Sequence, residues 1–429
     1  MSTLTVRILQ LIFAALALLR LHGYQSVPAI TWMNIYSLED FTNASWTELF
    51  TFVANTRVPI PPWVLACELI SYKTLGSASI VINGFYKLAF IAPYLIAMEI
   101  VRSDKKRFIL SYAISYLSLF CAAQIHQGNP QGYDVYLPCV LLGFVYIFNL
   151  SLEARREPIK IFLSLLAGLL LSLAELTRPF MVYLLPLICV VAVGRYWGGT
   201  TNGRRLAIVF LIPILVLSGS MHAHHLAKHQ QITFSNNVGF NLSRAWGRLI
   251  VVPELLDESK SRPLAEGRWP NLDTETHQIN SDRFKNAVLA QWLNHPVQSA
   301  SFALSLLNDF LIGETSIYEY QPNSIFIQTY RLVYKALAML MLINFCVLLC
   351  LLITKPRYLL VQITDIDNSI ILLTTFLMVM FAIGEKGEEA RFIISVLPFL
   401  CVMPLARKIL NGAGRVIDAS NRRRVSFDW

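Results

Sequence analysis

Charge is what this sequence has least of. Asp, Glu, Lys and Arg together make up 15% of its 429 residues, where a water-soluble chain carries about 25%. That scarcity excludes an ordinary soluble globular domain. Neither a GxGxxG fingerprint nor a P-loop occurs, so the usual glycine cradles for a dinucleotide or a nucleoside triphosphate are missing. There is no CxxC and no Cys/His metal pattern. Six of the seven cysteines, Cys121, Cys139, Cys189, Cys346, Cys350 and Cys401, lie inside apolar runs. They read as small core hydrophobes rather than a disulfide framework or a zinc site. No internal repeat and no long Pro/Gly/Ser linker appear, which argues against a solenoid and against a tethered soluble domain.

What is present is apolar sequence. Hydrophobic residues reach 55% and the mean hydropathy is +0.52. Several runs approach the roughly 20 residues that cross a bilayer as a helix. The expected fold is all-α, a polytopic transmembrane bundle formed by residues 1–429 as one domain. The candidate spans are 6–23, 78–101, 107–125, 134–152, 159–176, 179–195, 205–223, 331–354, 366–384 and 391–410. The first apolar run, Ile8 to Leu21, lacks a small-x-small cleavage site and reads as a retained helix.

The net charge of +9 follows the loops and gives no reason to expect nucleic acid as a partner. Arg102, Lys105, Lys106 and Arg107 follow the second span. Arg155, Arg156 and Lys160 follow the fourth, Arg195, Arg204 and Arg205 the sixth, and Lys355 and Arg357 the eighth. Arg407, Lys408, Arg422, Arg423 and Arg424 close the chain. With ten spans, all these clusters fall on one face. The positive-inside rule makes that face cytoplasmic, with both termini there.

The opposite face receives a first outer loop, 24–77, and a large outer loop, 224–330. In the first, Glu39 and Asp40 precede "RVPIPPWVLACELI", where Pro61 and Pro62 suit the start of a short membrane-dipping helix. Tyr36, Trp46 and Trp63, with Trp32, suit membrane-interface anchoring, and their flat faces also suit a sugar ring. In the large loop, "SDRFKNAVLAQWLNHP" predicts an interfacial helix capped by Ser281. Phe284, Val288, Leu289, Trp292 and Leu293 would share one face, with Trp292 at headgroup level. Asp134 begins the fourth span behind a Gly-Asn-Pro-Gln-Gly turn that contains Asn129. There it could cap the helix or act chemically, since ionisable groups at membrane depth are costly. Arg178 lies in "AELTRPF", and Lys386 and Arg391 in "EKGEEARFIISVLPFL". Arginine at a span end either snorkels to headgroups or grips phosphate with its planar fork.

Taken in order, the first-loop acids, the Pro-Pro helix, the acid at the fourth span, "GLLLSLAELTRP" and "EARFIISVLPFL" resemble the polytopic glycosyltransferases of the GT-C class. The likeness is to the mannosyltransferase and aminoarabinose-transferase group. It implies an inverting transfer of sugar from a polyprenyl- or dolichyl-phosphate donor to a lipid, glycan or protein acceptor on the non-cytoplasmic face. It implies Asp40, with Glu39 beside it, as general base, and Asp134 as a second acid. Arg391, Arg178 and Lys386 would hold the donor phosphate, and Tyr36, Trp63 and Asn129 would touch sugar or acceptor. It implies a multi-pass protein of a bacterial inner membrane, or of the ER in a eukaryote. It fixes no metal; a divalent cation, Mg or Mn, is compatible with the chemistry. The usual Asp-Glu pair is reversed in this chain, and the large loop is shorter than the soluble domain some members carry.

Other features stand apart from that resemblance. His222, His225 and His229 share a helix face at metal-like spacing, but no carboxylate is near in sequence, and interface histidines are the plainer reading. Asn43 and Asn241 begin glycosylation sequons. A transporter or flippase of lipid-linked glycans predicts internal repeats and charged or Gly/Pro-broken segments near the middle of spans; no repeat is apparent and the candidate charges lie at outer span ends, which argues against it. A glycan polymerase or ligase would depend less on a first-loop acid.

Overall fold

The structure, a computed structural model, describes residues 2–22, 45–55, 61–77, 79–128, 135–178, 180–199, 202–230, 238–247, 249–250, 275–312, 325–354, 364–384 and 389–402. Among the described residues every regular element is helical. In chain order these are α1 (Thr3–Arg20), α2 (Trp46–Asn55), α3 (Pro62–Leu75), α4 (Ser79–Ile100), α5 (Lys105–Gly128), α6 (Tyr136–Glu153), α7 (Glu157–Glu175) and α8 (Met181–Gly199). Then come α9 (Gly203–Pro213), a π-helical stretch (Ile214–Gly219), α10 (Ser220–His229), α11 (Val238–Trp246), α12 (Glu275–Asn294) and α13 (Pro296–Ile312). The chain closes with α14 (Ile325–Thr354), α15 (Ile366–Gly384) and α16 (Glu389–Cys401).

Each of the ten apolar segments expected to be a span is helical over its described residues. Seven helices among the described residues are long and apolar enough to cross a membrane. This is an integral, multi-pass, all-α membrane protein. Proline at helix starts fits the pattern. Pro61 precedes α3 with Pro62 as its first residue, and Arg156 precedes α7 with Pro158 in its first turn. Helix α3 ends at Gly76, whose φ of +66° is a left-handed conformation that glycine adopts without strain.

Polar links tie one end of the bundle together. Arg7 at the start of α1 forks onto Glu99 at the end of α4 (2.8 and 3.1 Å), and Arg102 joins the same carboxylate. Arg107 at the start of α5 grips Asp367 at the start of α15 with two bonds (2.8 and 3.0 Å) and donates to the Val402 carbonyl beyond α16. Arg205 of α9 meets Glu157 of α7 (3.0 Å), and Ser151 shares a hydrogen bond with Tyr196 (2.7 Å). These contacts join helix ends that the basic-cluster pattern assigns to a single face.

The seam between α7 and α9 depends on small residues. A Cβ on Gly168 would lie 2.0 Å from the Phe210 carbonyl oxygen, so only glycine fits there. One turn on, Ser172 and Ser218 share a hydrogen bond (2.7 Å). Small residues four apart let helices approach closely when lipid offers no hydrophobic drive for association. Pro213 brings no N–H to the ladder, and the helix widens to a π pattern from Ile214 to Gly219 directly after it.

Beside the bundle, α11 to α13 build a satellite core. Trp246 packs against Trp292 (5.5 Å between centroids) and Phe302 (5.3 Å), and its indole N–H donates to the Ile383 carbonyl of α15 (3.0 Å). The structure therefore turns Trp292 toward protein. It is Leu293 (73% exposed) and Val297 (82%) that face outward. Ser281 does not cap. The helix begins six residues earlier, and Ser281 accepts the Gly239 N–H (2.9 Å) where α11 crosses α12 too closely for any side chain at 239.

Candidate functional site

The end opposite the ion-pair cluster has a different character. Its centre is the corner after α7, residues 175–178, where the side chains of Glu175, Thr177 and Arg178 each reach a different element. Glu175, the last residue of α7, is fully buried and its Oε1 lies 2.7 Å from Nε2 of His222 on α10. Thr177 accepts the indole N–H of Trp63 on α3 (3.0 Å). Arg178, 5% exposed, sets its guanidinium 5.9 Å from the Phe381 ring on α15. Four elements far apart in sequence thus meet at four consecutive residues.

Local chemistry explains the corner. Leu176 ends the helix with its N–H on the Ser172 carbonyl, and Thr177 and Arg178 close a turn onto Ala174 and Glu175 (both 3.2 Å). The π-helical stretch sets the position of α10. Ser172 meets Ser218 within it, and Glu175 meets His222 one turn further along the same seam. Glu175 Oε2 makes no hydrogen bond to the described residues, so this carboxylate is held through Oε1 by His222.

Trp63 also packs edge-on against Tyr136, the first residue of α6 (5.2 Å, 80°). Glu68, five residues on from Trp63 in α3, is buried. It lies near enough to Cys67 and Tyr136 to act on both electrostatically. Burial first, then Glu68, pushes the Cys67 thiol above its usual range. Trp63, half-buried, is therefore held in place by a hydrogen bond and a ring. Trp46 is the more exposed ring, with Lys73 over it at 5.6 Å.

Of the residues expected in the site, the structure brings Trp63 and Arg178 to one corner. Arg178 does not snorkel; it is enclosed by protein. Arg391 falls within α16, with its side chain outside the described residues. Glu39, Asp40, Tyr36, Asn129, Asp134 and Lys386 lie outside the described residues. Among the described residues no three His, Cys, Asp or Glu side chains converge as a metal set. Sequence reasoning passed over Glu175, Glu68 and the pairing of His222 with a carboxylate. The run Ser164, Gly168, Ser172, small residues four apart and ending just before Glu175, was the signal that could have found the seam. A hollow of about 660 Å³ lies at the α12–α13 turn, lined by Leu249, His295, Val297 and Phe302 among others, and shares no residue with the corner.

No family model, curated protein or solved structure matches this chain.

Proposed function

We propose that this protein is a membrane glycosyltransferase. It moves a sugar from a polyprenyl-phosphate or dolichyl-phosphate donor to a lipid, glycan or protein acceptor on the non-cytoplasmic face. The observation that carries the reading is the enclosed Arg178, held at a corner that also gathers Trp63 from the Pro-Pro helix. An ionisable side chain sealed at the boundary of a membrane bundle is costly and is a functional-site candidate by default. Arginine's planar fork matches the oxygens of a phosphate. The leaving lipid phosphate gains negative charge as the glycosidic bond breaks, and a fixed guanidinium stabilises it there. Asp40, with Glu39 beside it, would take the acceptor proton as the acceptor oxygen attacks the anomeric carbon, with Asp134 as the second acid. Arg391 and Lys386 would complete the cationic rim.

In this reading all ten apolar helices are spans. The end bearing Arg7, Arg107 and Arg205 faces the cytoplasm, as the basic clusters require. The 175–178 corner then faces outward, in a bacterial inner membrane or, in a eukaryote, the ER. Helices α12 and α13 lie on the outer membrane surface through Leu289, Leu293, Val297 and Leu304.

A second reading is a flippase of lipid-linked glycans. The helix broken at Pro213 and the prolines inside spans, Pro93, Pro186 and Pro398, favour it. The test is mass spectrometry of surface and lipid-linked glycans in a deletion strain complemented with wild type, Asp40→Asn, Asp134→Asn or Arg178→Gln. A transferase leaves the acceptor short of one sugar when Asp40 or Arg178 is changed. A flippase leaves the acceptor chemistry intact while the lipid-linked glycan accumulates. Full restoration by every variant overturns both.

A further inference from the structure

Glu175 and His222 have no task in the chemistry just described, yet their side chains join α7 to α10 at this end. Four observations bear on them. The carboxylate is sealed (0% exposed), and the imidazole, 14% exposed, closes over it. The bond is short, 2.7 Å. The Glu175 carbonyl accepts the Arg178 N–H at 3.2 Å, so the residue that holds α10 is also the first member of the turn that presents Arg178. The π-helical stretch sets the register that brings His222 alongside.

A turn of four residues is weak on its own. Two backbone bonds of 3.2 Å hold it, and without a tertiary anchor its side chains would sample several rotamers. The anchors here are Thr177 to Trp63 on one side and Glu175 to His222 on the other. Resting on the proposed lipid-phosphate site, the geometry points to Glu175 and His222 as positioning residues. The bond between them fixes the corner so that Arg178 meets the donor phosphate in one orientation. Its loss weakens recognition of phosphate while leaving recognition of the lipid tail.

The test uses the full chain in lipid nanodiscs with two probes, a polyprenyl phosphate and the matching polyprenol. Native mass spectrometry reads the ratio of their affinities. Wild type is expected to prefer the phosphate at least about tenfold, and Arg178→Gln to lose that preference. Glu175→Leu and His222→Leu are each expected to cut it about tenfold, and the double variant to fall no further than either single, the signature of one shared contact. In His222→Gln the amide nitrogen reaches where Nε2 stood and keeps the preference within about threefold, whereas the shorter His222→Asn does not. The Gln/Asn contrast stands as the test if the leucine variants fail to assemble.

Two results overturn the positioning role alone. One is a preference lost in Arg178→Gln but kept in His222→Leu, His222→Asn and Glu175→Leu. The other is an equal fall in Ser151→Ala, which loosens the bundle at its far end. A wild type that binds both probes equally overturns the phosphate reading and, with it, this inference.

Discussion

The two ends of the bundle are held by different chemistry. At one end arginines reach carboxylates across helix starts and stops. Arg7 and Arg102 share Glu99, and Arg205 takes Glu157, with side chains half exposed or more on the arginine side. At the other end the polar groups are sealed: Glu175 is inaccessible and Arg178 nearly so. Exposed ion pairs gain about 0–1 kcal/mol each and are screened by salt. They suit a surface that must orient a protein in a membrane without depending on any one contact. Buried ionic groups cost several kcal/mol to desolvate and are retained where something else requires them. The difference separates an end held by accessible ion pairs from an end whose ionic groups are sealed inside the protein. Arg107 with Asp367 is the exception at the first end. It is enclosed and makes three bonds, one of them to a backbone carbonyl, so it belongs to the architecture.

Substitutions at the two ends sharpen or break that contrast. The largest effect is expected from Arg178→Gln. On the proposed transferase reading, transfer to the acceptor falls at least about a hundredfold, as when one donor to a developing oxyanion is removed, and falls further than the amount of folded protein. A variant that unfolds readily and transfers normally would make Arg178 a packing residue and erase the distinction. Next comes Arg107→Met, which leaves Asp367 without its partner at the opposite end. It is expected to cost about 3 kcal/mol of stability in a detergent unfolding assay, with transfer per folded molecule unchanged. Gly168→Ala is expected to cost about as much, since its methyl would collide with the Phe210 carbonyl and force α7 from α9. Because Glu175 and His222 lie on that seam, its loss of transfer should exceed its loss of folded protein. Arg205→Ala should change stability by no more than about 0.5 kcal/mol at any salt concentration.

The smallest effect is expected at α2. Ser45 and Glu48 form a capping box there: the Glu48 N–H donates to Ser45 Oγ (3.2 Å), and the Ser45 N–H donates to the Glu48 carboxylate (2.6 Å). That backbone bond, foremost, holds the Glu48 carboxyl below its ordinary range. The folded value is the lower one, so this contribution is present above the ordinary glutamate pKa and is lost as pH falls through the folded value. Ser45→Ala should fray α2 by about 1 kcal/mol at neutral pH, with less difference from wild type in acid; hydrogen exchange over residues 46–55 reads both.

Much of the fold was legible because a bilayer imposes one rule. Backbone polar groups in lipid must be satisfied within the segment, so an apolar run of sufficient length is a helix. All ten runs are helical over their described residues for that reason, and the Pro61–Pro62 start of α3 followed from proline's fixed φ and absent N–H. The outer helices were legible only in part. Residues 284–293 were rightly helical, but periodicity placed Val288, Leu289, Trp292 and Leu293 on one face, whereas packing on Trp246 draws in Val288 and Trp292 and leaves Leu289 and Leu293 outside. Ser281 looked like a cap because local rules see only neighbours, and its true partner, Gly239, is 42 residues away.

The sequence by itself determined that this chain is an all-α, multi-pass membrane protein. It did so through properties that depend on one residue or one run: apolar length, basic clusters, proline at helix starts. It also named Arg178 and Trp63. It could not bring them together, nor set Glu175 against His222, because those contacts depend on the angle and register of helices that approach closely only at Gly168 and widen only after Pro213. Contacts spanning 47 and 114 residues are decided by how helices pack, and helix packing is a property of surfaces rather than of runs.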